Sequence, residues 1–430
     1  MNAKGSYYFS LALLGGLFFV FGLVSWVNSI LVPYFKVACD LHTDVQGYLV
    51  TFAFYIAYLV MTIPASAFLG RVGFKRGVQY GLWLLALGVL LFVPAALART
   101  FALFLVALFT MGTALAILQT AANPFVTIIG PRESAARRIS IMGICNKFAG
   151  IVAPLLFAAV VIHPEDRTTM DLVASGALTG AAKEAALDAM IRSVIPPYAV
   201  LAVLLVLFGW GFYRSSLPDL HPDKENASAG GQDRRSVLSY PYLVLGVLAL
   251  FAHVGSQQIS ISTIIDYAGT MGIDLVAAKV FPSYTLACIM GGYLIGVVLI
   301  PRYLSQQKAL LLCTVAGLVL SCLVLFAHGT VHFAGFDADL SIWMLVLLGI
   351  PNSLIYAGIW PLAIRGLGRW TSLGSSLLVM ALCGNAVLSL LYGFEADRLG
   401  RHDAYWLLIP CFLYMVFYAV YGHKIEYWKK

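Results

Sequence analysis

The sequence predicts an all-α membrane protein, with twelve transmembrane helices in two six-helix halves. Three observations carry this. Apolar residues make up 61% of the 430 and charged residues only 11%, with a mean hydropathy of +0.88. A water-facing fold has about half its residues apolar and about a quarter charged, so this chain needs hydrocarbon around it. Against a ruler of roughly 20 apolar residues per span, twelve runs stand out. They fall near 8–34, 46–70, 77–97, 101–129, 138–162, 196–213, 241–266, 281–300, 309–328, 341–364, 372–394 and 404–422. Between the sixth and seventh lies a polar stretch with Pro218, Asp219, Pro222, Asp223, Gly230, Gly231, Arg234 and Arg235. It reads as a flexible linker, which sets the divisions at 1–213, 214–240 and 241–430.

The first run begins near Tyr8 and is too long for a cleaved leader, so it is expected to remain as the first span. Loop charges orient the rest. One side of the alternation collects 18 Lys and Arg, among them Arg71, Lys75, Arg76, Arg132, Arg137 and Arg138, and the other side 8. The basic side faces the cytoplasm, which puts both termini and the linker inside. Segment 163–195 then becomes an external loop with a short helix across 181–190. The net charge of +7 is scattered over these short loops and forms no single basic patch, so nucleic acid is not an expected partner. Seven cysteines sit mostly within the spans without CxxC or metal spacing, and read as small apolar fillers.

Polar residues inside the runs are the candidates for chemistry. In the fourth run, Gln119 and Asn123 are four apart and share one helix face, with Pro124 just below. An amide without a partner in hydrocarbon costs several kcal/mol. Two such groups call for a polar ligand, water or another helix. The first run has Ser25 and Ser29 on one face beside Asn28. The seventh has His253, Gln257 and Ser260 at i, i+4, i+7, with Gln258 adjacent. The tenth has Asn352, Tyr356 and Trp360 on one stripe. For any single one, helix packing is the commoner role. As a set they favour a neutral, hydroxyl-rich ligand, which needs amides and hydroxyls around it and an aromatic face for its C–H side. Lys147, beside Asn146 and about nine residues into the fifth run, is the one deep charge; an intramembrane ionisable group is a functional candidate by default. Gly292 and Gly296 read as a close helix-packing pair.

The Arg71-x-Gly73-x-Lys75-Arg76 loop resembles the signature after the second helix of the major facilitator superfamily, with Gly70 where an acid usually stands. A weaker echo, Arg302 to Lys308, comes after the eighth run. More specifically, Ile63-Pro64-Ala65, Leu118-Gln-Thr-Ala-Ala-Asn-Pro-Phe125 and Gly130-Pro131 are similar to the fucose:proton symporter family. Arg138 to Lys147, Pro301 to Ala309 and Ile359-Trp360-Pro361-Leu362-Ala363 resemble its glucose, galactose and N-acetylglucosamine permease branch. The resemblance covers nearly the whole chain and implies the major facilitator fold. It also implies that Arg71, Lys75 and Arg76 latch helix ends between conformations. Members of that family carry acids in the first and fourth helices that handle proton and sugar. Here Ser29 and Gln119 occupy those places, and Gln257 and Ser262 stand where related permeases often have acids in the seventh.

The chain is therefore expected to be a secondary active transporter of a monosaccharide: a hexose, a fucose-like sugar or an N-acetylhexosamine. It would work by alternating access in a bacterial inner membrane, as a monomer, with ion coupling. Lys147, His253 and Ser29 are the coupling candidates, and the expected partners are the sugar, a proton or sodium ion, and the bilayer. A sugar uniporter and a non-transporting sugar sensor on the same scaffold compete with it. No phosphate-binding loop, metal-ligand cluster or Gly-x-Ser-x-Gly appears, so no cofactor, metal or enzymatic activity is expected.

Overall fold

The computed structural model describes residues 3–38, 44–161, 179–192, 195–215, 217, 236–273, 275–278 and 280–428. Long helices dominate it. The first stretch contains α1 (Ala3–Ala38), α2 (Asp44–Val72), α3 (Phe74–Ala98), α4 (Phe101–Ile128) and α5 (Ala135–Val161). Next come the short α6 (Gly180–Arg192), which matches the helix expected over 181–190, and α7 (Ile195–Arg214). The rest comprises α8 (Pro241–Ser262), α9 (Ile264–Thr270), α10 (Leu275–Ala278), α11 (Phe281–Leu299) and α12 (Gln306–Phe326). After them run α13 (Leu340–Leu347), α14 (Gly349–Ala363), α15 (Thr371–Met380), α16 (Gly384–Leu399) and α17 (Leu408–Val420). Among the described residues, 11 stretches are long and apolar enough to cross a membrane. The remaining expected span, the fifth, is helix α5, and its side chains from 154 onward lie outside the described residues. The linker segment 218–235 lies outside them too.

Two expected spans are broken helices. The tenth splits at Leu348 into α13 and α14, and the eleventh passes through a 3₁₀ turn at Ala381–Cys383 between α15 and α16. Pro351 explains the first break locally, since it has no N–H to extend the ladder back from α14. A β-hairpin, β1 (Thr330–Phe333) with β2 (Phe336–Asp339), joins α12 to α13 and was not foreseen. Ala334 and Gly335 both take positive φ, 53° and 82°, which makes the tight two-residue reversal that hairpins favour. Asp339 then caps α13 by accepting from the Ser341 amide at 2.9 Å.

The described chain falls into two compact units: 15–121 with 145–219, and 1–14 with 122–144 and 220–430. Small residues let the helices of each unit approach closely, as hydrocarbon-embedded bundles require. In the first-named unit, a Cβ on Gly88 of α3 would lie 2.6 Å from the Met111 side chain of α4, and one on Gly112 would meet Ala57 of α2 at 2.8 Å. Gly22 meets the Asn146 carbonyl and Ala149 in the same way, which seats α1 on α5. Gly73, with φ 80°, makes the sharp turn from α2 to α3 that a side chain would resist. Arg99, at the end of α3, pairs with Glu184 and Asp188 of α6.

In the other unit, the expected Gly292–Gly296 pair does pack a helix seam. A Cβ at Gly292 would come 2.6 Å from the Ile350 carbonyl, and Gly296 faces Leu354, so α11 lies tight against α14. A Cβ on Gly255 would lie 2.8 Å from the Gly384 carbonyl, and this close approach fixes α8 on α16. These seams position α8, with Gln257 and Gln258, and α14, with Asn352, Tyr356 and Trp360.

Candidate functional site

Helix α14 presents its polar stripe as the spacing predicts. Asn352 and Trp360 are each 0% exposed, and Tyr356 lies between them one helical turn from each. The Tyr356 and Trp360 rings stack at 5.5 Å between centroids with planes 24° apart. Asn123 of α4 is brought to this stripe, its side chain beside Tyr356. Tyr293 of α11 packs its ring flat against Gly143 of α5, where no side chain larger than hydrogen fits.

Unmet polarity is concentrated in this group. Neither amide atom of Asn352 has a hydrogen-bond partner, nor has Nδ2 of Asn123 or Nε1 of Trp360. Buried polar groups are nearly always satisfied, and each orphan costs about 1–3 kcal/mol. Four such atoms on two helices of one unit therefore point to a ligand that donates and accepts hydrogen bonds without carrying charge. The stacked aromatic pair beside them supplies a flat apolar face.

The other unit holds a second polar group, and there the atoms are engaged. Gln119 Nε2 donates to the Tyr58 hydroxyl at 3.0 Å, tying α4 to α2, and Tyr58 stacks with Tyr55 at 6.0 Å. Asn146 Nδ2 donates to the Phe18 carbonyl at 3.3 Å, tying α5 to α1. Lys147 is partly buried on α5 next to it. The side chains of Asn28 and Ser29 lie outside the described residues.

On α8, His253 is 1% exposed and Gln257 and Gln258 are partly buried. The hydroxyls around them turn back on their own helix. Ser256 donates to the His253 carbonyl at 2.9 Å, Ser260 to that of Gln257 and Ser262 to that of Gln258, both at 2.8 Å. Ser260 therefore spends its donor on the backbone. In the loop between α2 and α3, Arg71 and Arg76 are exposed, while Lys75 Nζ donates to the Ser215 carbonyl just past α7 at 2.7 Å.

Two residues missed by sequence reasoning shape the unit that carries α14. Arg138 is not a solvated loop cation but is 1% exposed. Its guanidinium donates to the carbonyls of Val126, Thr127, Gly130 and Pro131 and to the Ser134 hydroxyl, at 2.7–3.3 Å. These include the last carbonyls of α4, which a helix end leaves without partners, so Arg138 locks the elbow between α4 and α5. Gln306 accepts from the Ala136 amide at 2.8 Å, capping α5 from the first turn of α12. Nothing in the Arg137-Arg138 pair separates the buried guanidinium from an exposed one; only burial does.

Long apolar helices that carry buried neutral amides beside stacked aromatics define a polytopic membrane carrier. The Major Facilitator Superfamily profile matches residues 14–383. The glucose/galactose transporter of Brucella abortus is 32% identical over 98% of this chain and 96% of its own length. The L-fucose-proton symporter of Escherichia coli is 30% identical over 92% of this chain and 89% of its own. A crystal structure of the E. coli fucose:proton symporter superposes with a TM-score of 0.81 at 28% identity, covering 97% of this chain and 99% of that one. The chain belongs to the Major Facilitator Superfamily and, within it, to the fucose:proton symporter family. It is a multi-pass membrane transporter and not an enzyme.

Proposed function

We infer that the protein is a secondary transporter that carries a monosaccharide across the bacterial inner membrane by alternating access, coupled to protons. The observation that carries this is the set of buried, unsatisfied neutral polar atoms on Asn123, Asn352 and Trp360 beside the Tyr356–Trp360 stack. A sugar ring offers hydroxyls for the first and a C–H face for the second. The relatives named for glucose, galactose and fucose support the same class of solute. The working parts are two six-helix halves, 1–213 and 241–430, joined by a cytoplasmic linker at 214–240, with both termini inside and one chain sufficient for transport. Arg71, Lys75 and Arg76 gate at the ends of the helices.

Coupling takes a different route from the family's acid pair, because Ser29 and Gln119 occupy those positions. Lys147 is the leading carrier, since it is the one charged group the sequence sets deep within a span. His253 is the second candidate. Counterflow in proteoliposomes tests the whole: a panel of hexoses, fucose and N-acetylglucosamine, with and without pH and sodium gradients. Counterflow of at least one sugar, with uphill uptake under a pH gradient, is expected. Lys147→Gln should keep counterflow and lose the uphill component; uphill uptake surviving in that variant removes Lys147 from coupling. Binding without counterflow in the wild type would sink the transporter reading in favour of a sensor.

A further inference from the structure

Among the described candidate amides, Asn352 is the one with both ends buried and without a partner, on α14. Gln119 and Asn146 each donate within the protein, and of Asn123 only Nδ2 is a buried atom without a partner. A primary amide displays one acceptor and two donors, with oxygen and nitrogen about 2.3 Å apart on a single edge, a spacing set by the C=O and C–N bond lengths. Whatever satisfies both must present a donor and an acceptor side by side.

We propose that Asn352 grips two hydroxyls on adjacent ring carbons, so that the transporter selects sugars bearing an unsubstituted vicinal diol at that place. One hydroxyl donates to Oδ1 and its neighbour accepts from Nδ2. A lone hydroxyl would leave one end of the amide orphaned. An acetamido group brings an N–H donor but also a bulky acyl group, for which a wholly buried Asn352 leaves little room. Nor does a charged substituent suit it, since the stripe of α14 has no side chain of opposite charge beside it: the neighbours at four and eight residues are Tyr356 and Trp360. The Tyr356–Trp360 stack continues the same face and gives the ring a surface to lie against while its diol meets the amide. This inference rests on the sugar-transporter reading, and adds to it which pattern of hydroxyls is read and by which residue.

The test is a series of monodeoxy analogues of the best-transported hexose, competed against its counterflow in wild type and in Asn352→Leu. In wild type, tenfold to hundredfold losses of affinity should fall on two adjacent positions, and N-acetylation at either should cost as much. That range corresponds to about 1.4–2.8 kcal/mol. In Asn352→Leu those two positions should become indifferent, while losses elsewhere on the ring persist. Leucine has a similar volume and removes two orphaned polar atoms, so the ligand-free variant should also melt higher than wild type. Losses at non-adjacent positions, or discrimination retained by Asn352→Leu, would overturn the proposal. If the leucine variant cannot be purified, the deoxy scan of the wild type alone still decides between adjacent and scattered losses. Wild type that exchanges no monosaccharide would sink the transporter reading and this inference with it. Sugar exchange without the adjacent-pair pattern would sink the inference alone.

Discussion

The candidate amides of the two units are engaged differently. In the unit of 15–121 and 145–219, Gln119 donates to Tyr58 and Asn146 to the Phe18 carbonyl, so amides join neighbouring helices. In the unit containing α14, Asn352, Trp360 and Nδ2 of Asn123 are buried with no partner. A satisfied buried amide contributes about 0.5–1.5 kcal/mol to stability, whereas an orphan costs about 1–3 kcal/mol. A fold tolerates several orphans on one stripe only where something else offsets the cost. The first group therefore holds helices at fixed spacing, and the second is the one proposed above to meet the transported solute. Sequence spacing alone treats Gln119 and Asn123 as equals, four residues apart on one face. Their partners separate them.

The largest expected effect tests the satisfied class at its extreme. Arg138→Met removes five hydrogen bonds at the α4–α5 elbow and strands the last carbonyls of α4. Breaking a buried charged group out of its partners costs about 3–5 kcal/mol, so this variant should lose most of its thermal stability in detergent. Wild-type melting would mean that water or other donors replace the guanidinium, and the clamp would fall.

Next comes the orphaned class. Trp360→Ala should weaken sugar binding about tenfold to hundredfold through the lost ring face and N–H. Trp360→Phe keeps the face and should lose less, while neither lowers folding stability by way of a hydrogen bond. Equal losses in the two variants would assign the whole effect to the indole N–H.

A smaller effect separates the two classes directly. Gln119→Ala and Tyr58→Phe form a double-mutant cycle across a protein–protein hydrogen bond, and their stability effects should couple by about 1 kcal/mol. Coupling in sugar affinity with none in stability would move Gln119 into the ligand-binding class and erase the contrast. The sequence alone puts Gln119 with Asn123 in that class.

The smallest effect lies outside the membrane-spanning segments, at the hairpin. Burial alone would raise the Asp339 carboxyl, but the Ser341 hydroxyl and the Gly329 and Ser341 amides donate to it and hold it below the ordinary 3.8. A carboxyl depressed in the folded state adds stability above its ordinary value, and that stability is lost as pH falls through the lower folded one. Proteolysis at the hairpin should therefore stay slow near neutrality and rise only in strong acid. In Asp339→Ala the pH dependence should disappear.

Most of the architecture was legible in the chain. Apolar runs, turn residues and loop charges mark the spans because hydrocarbon leaves helices as the only open form of backbone, so each span must announce itself by length and composition. The stripe Asn352–Tyr356–Trp360 was legible too, since helical period alone places it on one face. Periodicity could not show that α13 and α14 part at Leu348, because a broken helix keeps the same apolar content on both sides of the break. Nor could it show the hairpin between α12 and α13, which is too short to carry a pattern. It counted Arg138 among the loop cations, although folding wraps the elbow of α4 and α5 around that side chain. What only the tertiary structure decided was which polar atoms are already paired. Sequence determines where an amide sits on its helix, but whether Tyr58 stands opposite Gln119, or no hydrogen-bond partner stands opposite Asn352, depends on how glycine seams bring distant segments together.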